Sequence, residues 1–239
     1  MTEEELTLRK AMIATCLKMN AAGLNVGTAG NLSVRLRDGF LVTPTGMDYE
    51  RMQPDEIVAM DFADRYYGKR YPTSEWRFHS AILKARPEAN VVLHSHALYC
   101  TMLASCRMGI PAMHYDIASF GDDHIECSGY APFGTPELSE LVLQALGHRN
   151  ACLLGNHGVL VLGQTLPKTF QLLQQIEFLA HHYVGTLMLG RGVVLAKDQM
   201  HVVLERYKTY GKQPGEFERS DAPAEFQVIP PACGGDCLP

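Results

Sequence analysis

The chain has 239 residues, 46% of them apolar and 20% charged, with a formal net charge of −5. This composition suits one large domain or two small ones with a sizeable core. No clustered Lys/Arg footprint and no bilayer-length apolar run is present, which argues against nucleic-acid and membrane partners.

The chain starts Met1-Thr2-Glu3-Glu4-Glu5, without the basic and then apolar pattern of a secretory leader. Residues 6–22 read as an amphipathic helix, with Leu8, Met12, Cys16 and Met19 at helical spacing and Gly23 as the stop. Residues 32–36 and 40–43 alternate around Arg37-Asp38-Gly39 and predict a hairpin. Ile57–Met60 reads as a short strand. Thr73 or Ser74 then caps a helix running to about Arg86. Asn90–His94 is Val-rich and reads as a buried strand, followed by a helix over Tyr99–Ser105.

Thr135-Pro136-Glu137 starts a further helix that stops at Gly147. Ala151–Leu154 and Gly158–Leu162 predict strands on either side of Gly155-Asn156-His157. Helices over 167–190 and 197–210 follow, ending at Gly211. Mixed strands and helices give an α/β class. Residues 1–211 read as one catalytic domain. Residues 212–239, rich in Pro, Gly and charge and carrying Cys233 and Cys237, read as a flexible tail. The other five cysteines (Cys16, Cys100, Cys106, Cys127 and Cys152) lie in apolar segments and read as reduced core thiols, which points to the cytoplasm.

Chemistry concentrates at His94-Ser95-His96. Side chains two apart on a strand point the same way, so two imidazoles converge at a strand exit. His157, in a Gly-flanked turn after another apolar strand, offers a third. Three protein ligands with an open position is the layout of a catalytic zinc site; the plainer alternative is polar residues at strand ends. Glu75 opens a helix, where the helix dipole favours any acid, or else it serves as a base beside the metal. His79, one turn on, fits either a supporting core role or a fourth ligand. Gly27–Asn31, Thr43–Gly46 and Thr73-Ser74 are turn-forming and rich in small hydroxyl and amide groups, as an anion site requires.

These motifs together resemble the class II aldolase/adducin family. The resemblance runs through residues 23–33, Thr43–Gly46, Ser74–His79, His94–His96, Ile110–Tyr115, Phe133–Thr135, Asn156–Gly158 and Tyr207–Gly211. It implies a three-layer αβα sandwich around a largely antiparallel sheet, assembled as a homotetramer with active sites at subunit interfaces. It implies one Zn2+ per subunit on His94, His96 and His157, with Glu75 touching the metal in the absence of substrate and otherwise moving the proton. The phosphate pocket would comprise Thr28, Ala29, Asn31, Thr45, Gly46, Thr73 and Ser74. Tyr115 would reach a neighbouring subunit's site, and Phe133, Tyr207 and Tyr210 would line the aldehyde side.

The activity implied is reversible cleavage of an L-fuculose 1-phosphate-like ketose 1-phosphate to dihydroxyacetone phosphate and an aldehyde. Salvage aldolases for 5-deoxy- or 5-methylthio-pentulose 1-phosphates are the nearest alternative. Epimerases of the family tend to carry Asp where Glu75 stands; a methylthioribulose-1-phosphate dehydratase would share the zinc and the phosphate. Adducin-like structural relatives lack the ligands that are present here. Thr73 replaces a more usual Ser, and Asp116, Ser119 and Phe120 stand where smaller or apolar residues are expected, which points to a different aldehyde pocket.

Overall fold

The computed structural model describes residues 1–212, so the predicted tail from residue 213 and Cys233 and Cys237 lie outside the described residues. The helices are α1 (Glu3–Ala21), α2 (Trp76–Ala85), α3 (Leu98–Ser105), α4 (Pro136–Leu146), α5 (Leu166–Leu189) and α6 (Lys197–Tyr207). The strands are β1 (Asn31–Leu36), β2 (Gly39–Val42), β3 (Val58–Asp61), β4 (Tyr66–Tyr67), β5 (Val91–Ser95), β6 (Ala151–Leu154) and β7 (Gly158–Gly163). They form a single sheet in the order β4-β3-β2-β1-β5-β7-β6, with every neighbouring pair antiparallel.

Local chemistry sets the helix ends. Thr2, Thr135 and Thr165 each accept a backbone N–H from the third residue on, and Pro136 and Pro167 sit in the first turns that follow. Gly190 ends α5 in the left-handed conformation with φ +66°. Three glutamates occupy the first turn of α1, where free N–H groups favour negative charge.

The sheet has two apolar faces, which produces the three layers. Leu32, Val34, Leu93, Leu153 and Val161 join Met12, Cys16 and Leu173 in one core beneath α1, α3 and α5. Their strand neighbours Val92, Cys152, Leu154, Leu160 and Leu162 join Phe78, Ile82, Leu138 and Val142 in a second core beneath α2 and α4. The period-2 alternation of strands makes this division automatic. β1 departs from it, because its α2-facing row is Asn31, Ser33 and Arg35. The Arg35 guanidinium donates to the carbonyls of Leu83, Arg86 and Ala89, which pins the end of α2.

Several boundaries differ from the sequence reading. The helix expected to be capped by Thr73 or Ser74 starts later, because Trp76 N–H closes a turn on the Thr73 carbonyl and Glu75 takes the cap position without capping. Residues 208–211 form a turn beyond α6 instead of extending the helix to 210. β4 and the 3-10 turns Pro54–Glu56 and Tyr115–Phe120 are too short to carry a periodic signal. Cys16, Cys100 and Cys152 are buried as expected, but Cys106 is exposed at the end of α3 and Cys127 is half-buried in a loop. Apolar surroundings in sequence do not bury a residue at a helix terminus. No described helix is long and apolar enough to cross a membrane.

Leu173 is fully buried between α5 and the sheet, far in the chain from the histidines. Leu173→Ala is expected to destabilise the fold by about 2–5 kcal/mol, read from the chemical denaturation midpoint.

Candidate active site

The sheet register builds the site. Asn31 on β1 stands directly opposite His94 on β5, and His94 opposite Leu160 on β7. His94 and His96 project on the α2 side, with their Nε2 atoms 3.1 Å apart. His157 comes from the tight β6–β7 turn, where Asn156 takes φ +56°. Gly158 makes this convergence possible: a Cβ there would stand 2.3 Å from the Ser95 carbonyl oxygen and 3.0 and 3.2 Å from the His96 and His94 rings. The three histidines offer nitrogen atoms within 4.8 Å of one another, a set that could hold a metal ion.

Glu75 completes the cluster. Its Oε2 lies 3.3 Å from His94 Nε2 and its Oε1 3.1 Å from His157 Nε2. The Asn31 amide donates to Oε2 at 2.8 Å, while the buried Oε1 has no hydrogen-bond partner. Burial alone would raise the pKa of Glu75. The neighbouring His94 and His157 and the Asn31 amide outweigh it and hold the carboxyl well below the usual carboxylate range.

Burial lowers the pKa of His94 to about 3, so that ring is neutral, and desolvation also lowers His96. His94 Nδ1 lies 3.1 Å from the Val159 carbonyl, which can only accept, so the proton sits on Nδ1 and Nε2 presents a bare lone pair. That lone pair faces an ionised carboxylate oxygen. Imidazole nitrogens, a carboxylate and an orphaned buried oxygen brought to one point form a donor set that a divalent cation satisfies. The residues present therefore fit a metal.

A cavity of about 340 Å³ opens over the cluster. It brings together Thr28, Ala29, Asn31, Thr45, Gly46, Thr73, Ser74, Glu75, His96, His157 and Phe133 of the predicted set, with His94 buried beneath. Tyr130 and Asn156 line it too, although the sequence reading gave neither a role. Asn156 sits beside His157 in a turn that needs a residue tolerant of positive φ, a signal that could have found it. Tyr130, in an irregular loop, carries no such signal.

Three predicted residues lie away from this cavity. Tyr115 is 52% exposed on the 3-10 turn and stacks on His114. Tyr207 donates its hydroxyl to Asp116 Oδ1 at 2.7 Å, and Tyr210 stacks on Tyr207. Of the departures near Tyr115, Phe120 is fully buried in the core under α1, α3 and α5, and the Ser119 hydroxyl donates to the Asp116 carbonyl. Asp116 is the one that touches an active-site candidate, Tyr207.

His79 is fully buried, with its Nδ1 on the Ser33 hydroxyl and its Nε2 on the Asn31 side chain. Both nitrogens being engaged, it is not a ligand of the cluster.

The sequence profile described as "Class II Aldolase and Adducin N-terminal domain" matches residues 10–184. The chain belongs to the class II aldolase and adducin family. It is 46% identical to L-fuculose phosphate aldolase of Escherichia coli (strain K12) over 209 residues, covering 87% of this chain and 97% of that one. It is 43% identical to 5-methylthioribulose-1-phosphate/5-deoxyribulose-1-phosphate aldolase of Rhodospirillum rubrum, covering 88% and 96%. Among solved structures, an L-fuculose 1-phosphate aldolase matches with a TM-score of 0.83 at 33% identity, covering 87% of this chain and 98% of that chain. The protein is an aldolase of this metal-dependent class, a carbon–carbon lyase of carbohydrate metabolism.

Gly158→Ala is expected to weaken metal binding about tenfold or more while the fold survives, because the added methyl drives the Ser95 strand exit away from the turn. Chelator competition together with circular dichroism measures both.

Proposed function

We propose that the protein is a zinc-dependent aldolase that cleaves a ketose 1-phosphate, of the L-fuculose 1-phosphate type, to dihydroxyacetone phosphate and an aldehyde, and that it works in the cytoplasm as a homotetramer. The observation that carries this reading is the placement of Glu75. It stands against the His94 and His157 imidazoles beside a cavity whose lining includes hydroxyl, amide and glycine groups.

His94, His96 and His157 would hold the ion, whose Lewis acidity supplies charge stabilisation for the electron pair released when the carbon–carbon bond breaks. Thr28, Ala29, Asn31, Thr45, Gly46, Thr73 and Ser74 offer the small hydroxyls, the amide and the accessible backbone N–H groups that suit a phosphate. Binding it there orients the carbonyl end of the substrate toward Glu75. Glu75 gives the carbon next to the carbonyl its proton in cleavage and removes it in synthesis. Because Oε2 already accepts from Asn31, which can only donate at that position, the proton travels on Oε1. Tyr115 handles the proton at the oxygen that becomes the aldehyde. Phe133, Tyr207 and Tyr210 line the aldehyde side.

Tyr115 and Tyr210 are exposed and absent from this chain's own cavity, which supports their serving a neighbouring subunit. Exposed Phe178, Met188, Leu189 and Val193 lie on the same C-terminal stretch and support burial in an assembly. The high identity to a salvage aldolase favours a second reading, in which the aldehyde end is a 5-deoxy- or 5-methylthio-sugar fragment.

A cleavage assay over a panel of ketose 1-phosphates, reading dihydroxyacetone phosphate, separates the two. No product from any member refutes the aldolase reading, and the preferred member names the aldehyde. Glu75→Gln is expected to retain the metal and lower kcat about 10²–10⁴-fold. Unchanged turnover would rule Glu75 out. Light scattering is expected to give a four-chain particle, and a monomer would remove Tyr115 from the mechanism.

A further inference from the structure

Behind Glu75 lies a buried hydrogen-bonded row, two of whose members, Ser33 and His79, have no part in the proposed mechanism. Ser33 and His79 are fully buried and Asn31 nearly so. Ser33 Oγ is 2.7 Å from His79 Nδ1, His79 Nε2 is 2.6 Å from Asn31 Oδ1, and Asn31 Nδ2 is 2.8 Å from Glu75 Oε2.

The direction of every bond follows from the last one. An ionised carboxylate can only accept, so Asn31 must turn its NH2 toward Glu75 and its oxygen toward His79. That oxygen can only accept, so His79 carries its proton on Nε2. Its Nδ1 is then a lone pair, and the Ser33 hydroxyl must donate. Desolvation lowers the pKa of His79 to about 3, so the ring stays neutral and only one nitrogen bears a proton. If the Asn31 amide were rotated by half a turn with His79 in this tautomer, its oxygen would face the carboxylate and its NH2 would face another N–H. Both contacts are repulsive.

We propose that His79, supported by Ser33, is a positioning residue for the proton-transfer carboxylate: its Nε2–H locks the Asn31 amide in the one orientation that holds Glu75 Oε2 and leaves Oε1 free. The inference rests on the reading of Glu75 as the group that moves the proton. The elements make the arrangement rigid. Asn31 and Ser33 are two apart on β1 and share one face, while Glu75 and His79 are four apart at the head of α2 and face it. The His79 ring also packs against Phe78, tilted by 33° with 4.7 Å between ring centroids.

Two amide substitutions of similar character separate positioning from packing. His79→Gln can place an N–H where Nε2 stands, whereas His79→Asn ends near Nδ1 and leaves the Asn31 oxygen without its donor. In the metal-loaded full chain, His79→Asn is expected to lose about 10–100-fold in kcat with bound metal unchanged. His79→Gln is expected to stay within about threefold of the parent, on the same reasoning that it restores the donor. An active His79→Asn would overturn the proposal. So would an equal loss of kcat in both variants when both are folded and metal-loaded.

A second measurement needs neither substrate nor variant. Nitrogen-15 NMR of histidine-labelled parent protein is expected to report His79 as the neutral Nε2–H tautomer with a proton slow to exchange. An Nδ1–H tautomer, or a charged ring at neutral pH, would refute the network. If the parent cleaves no ketose phosphate, the aldolase reading fails by itself, and the tautomer still decides whether Asn31 is locked.

Discussion

The hydrogen bond from the Asn31 amide to Glu75 joins the first residue of β1 to the head of α2, and the rest of the site is arranged around it. A carboxylate that is 6% exposed is costly to keep ionised unless donors or cations surround it. Here one oxygen has a fixed amide donor and lies beside His94, and the other faces the His157 imidazole. The same bond sets where α2 begins, since Glu75 occupies the cap position but spends its side chain on the cluster. The helix thus gives up a side-chain cap, normally worth about 1 kcal/mol, to deliver an acid to the sheet.

Much of this was visible in the residues. His94 and His96 could be paired from strand periodicity, and His157 from its turn between two apolar runs. The strands under the core announced themselves by continuous apolar composition, and helix starts by Thr-Pro pairs. What escaped was tertiary. Nothing in the order of residues says that β1 runs beside β5, yet that pairing alone sets Asn31 against His94. His79 read first as a core or supporting residue and second as a ligand, and the accounting of both its nitrogens decides for the former. Tyr130 comes from a loop without periodicity. Phe120 and Cys106 misled in opposite directions, because local sequence cannot tell a core-facing turn residue from an exposed helix end.

The two apolar cores divide the labour of the molecule. The core under α1, α3 and α5 is almost wholly hydrocarbon. The other, under α2 and α4, gives way at one end to a polar district where β1 presents Asn31, Ser33 and Arg35. Every buried polar group in that district is either bonded or aimed at the cluster, which is what lets it persist beside apolar packing. Phe133 and Tyr130 stand at the exposed rim of the cavity. A rim can vary without disturbing either core, and relatives bearing different substrate names share this fold over nearly the whole chain.

The β-turn that carries His157 has a temporal consequence. Its partners His94 and His96 lie on a strand made much earlier, and the turn reaches them only because β7 pairs with β5 along its whole length. Such non-local pairing is slow and comes late in folding. A nascent chain that ends before β7 lacks the strand whose pairing with β5 brings His157 to the other two imidazoles. Assembly of the three-imidazole set is therefore coupled to closure of the sheet with β7 in register on β5.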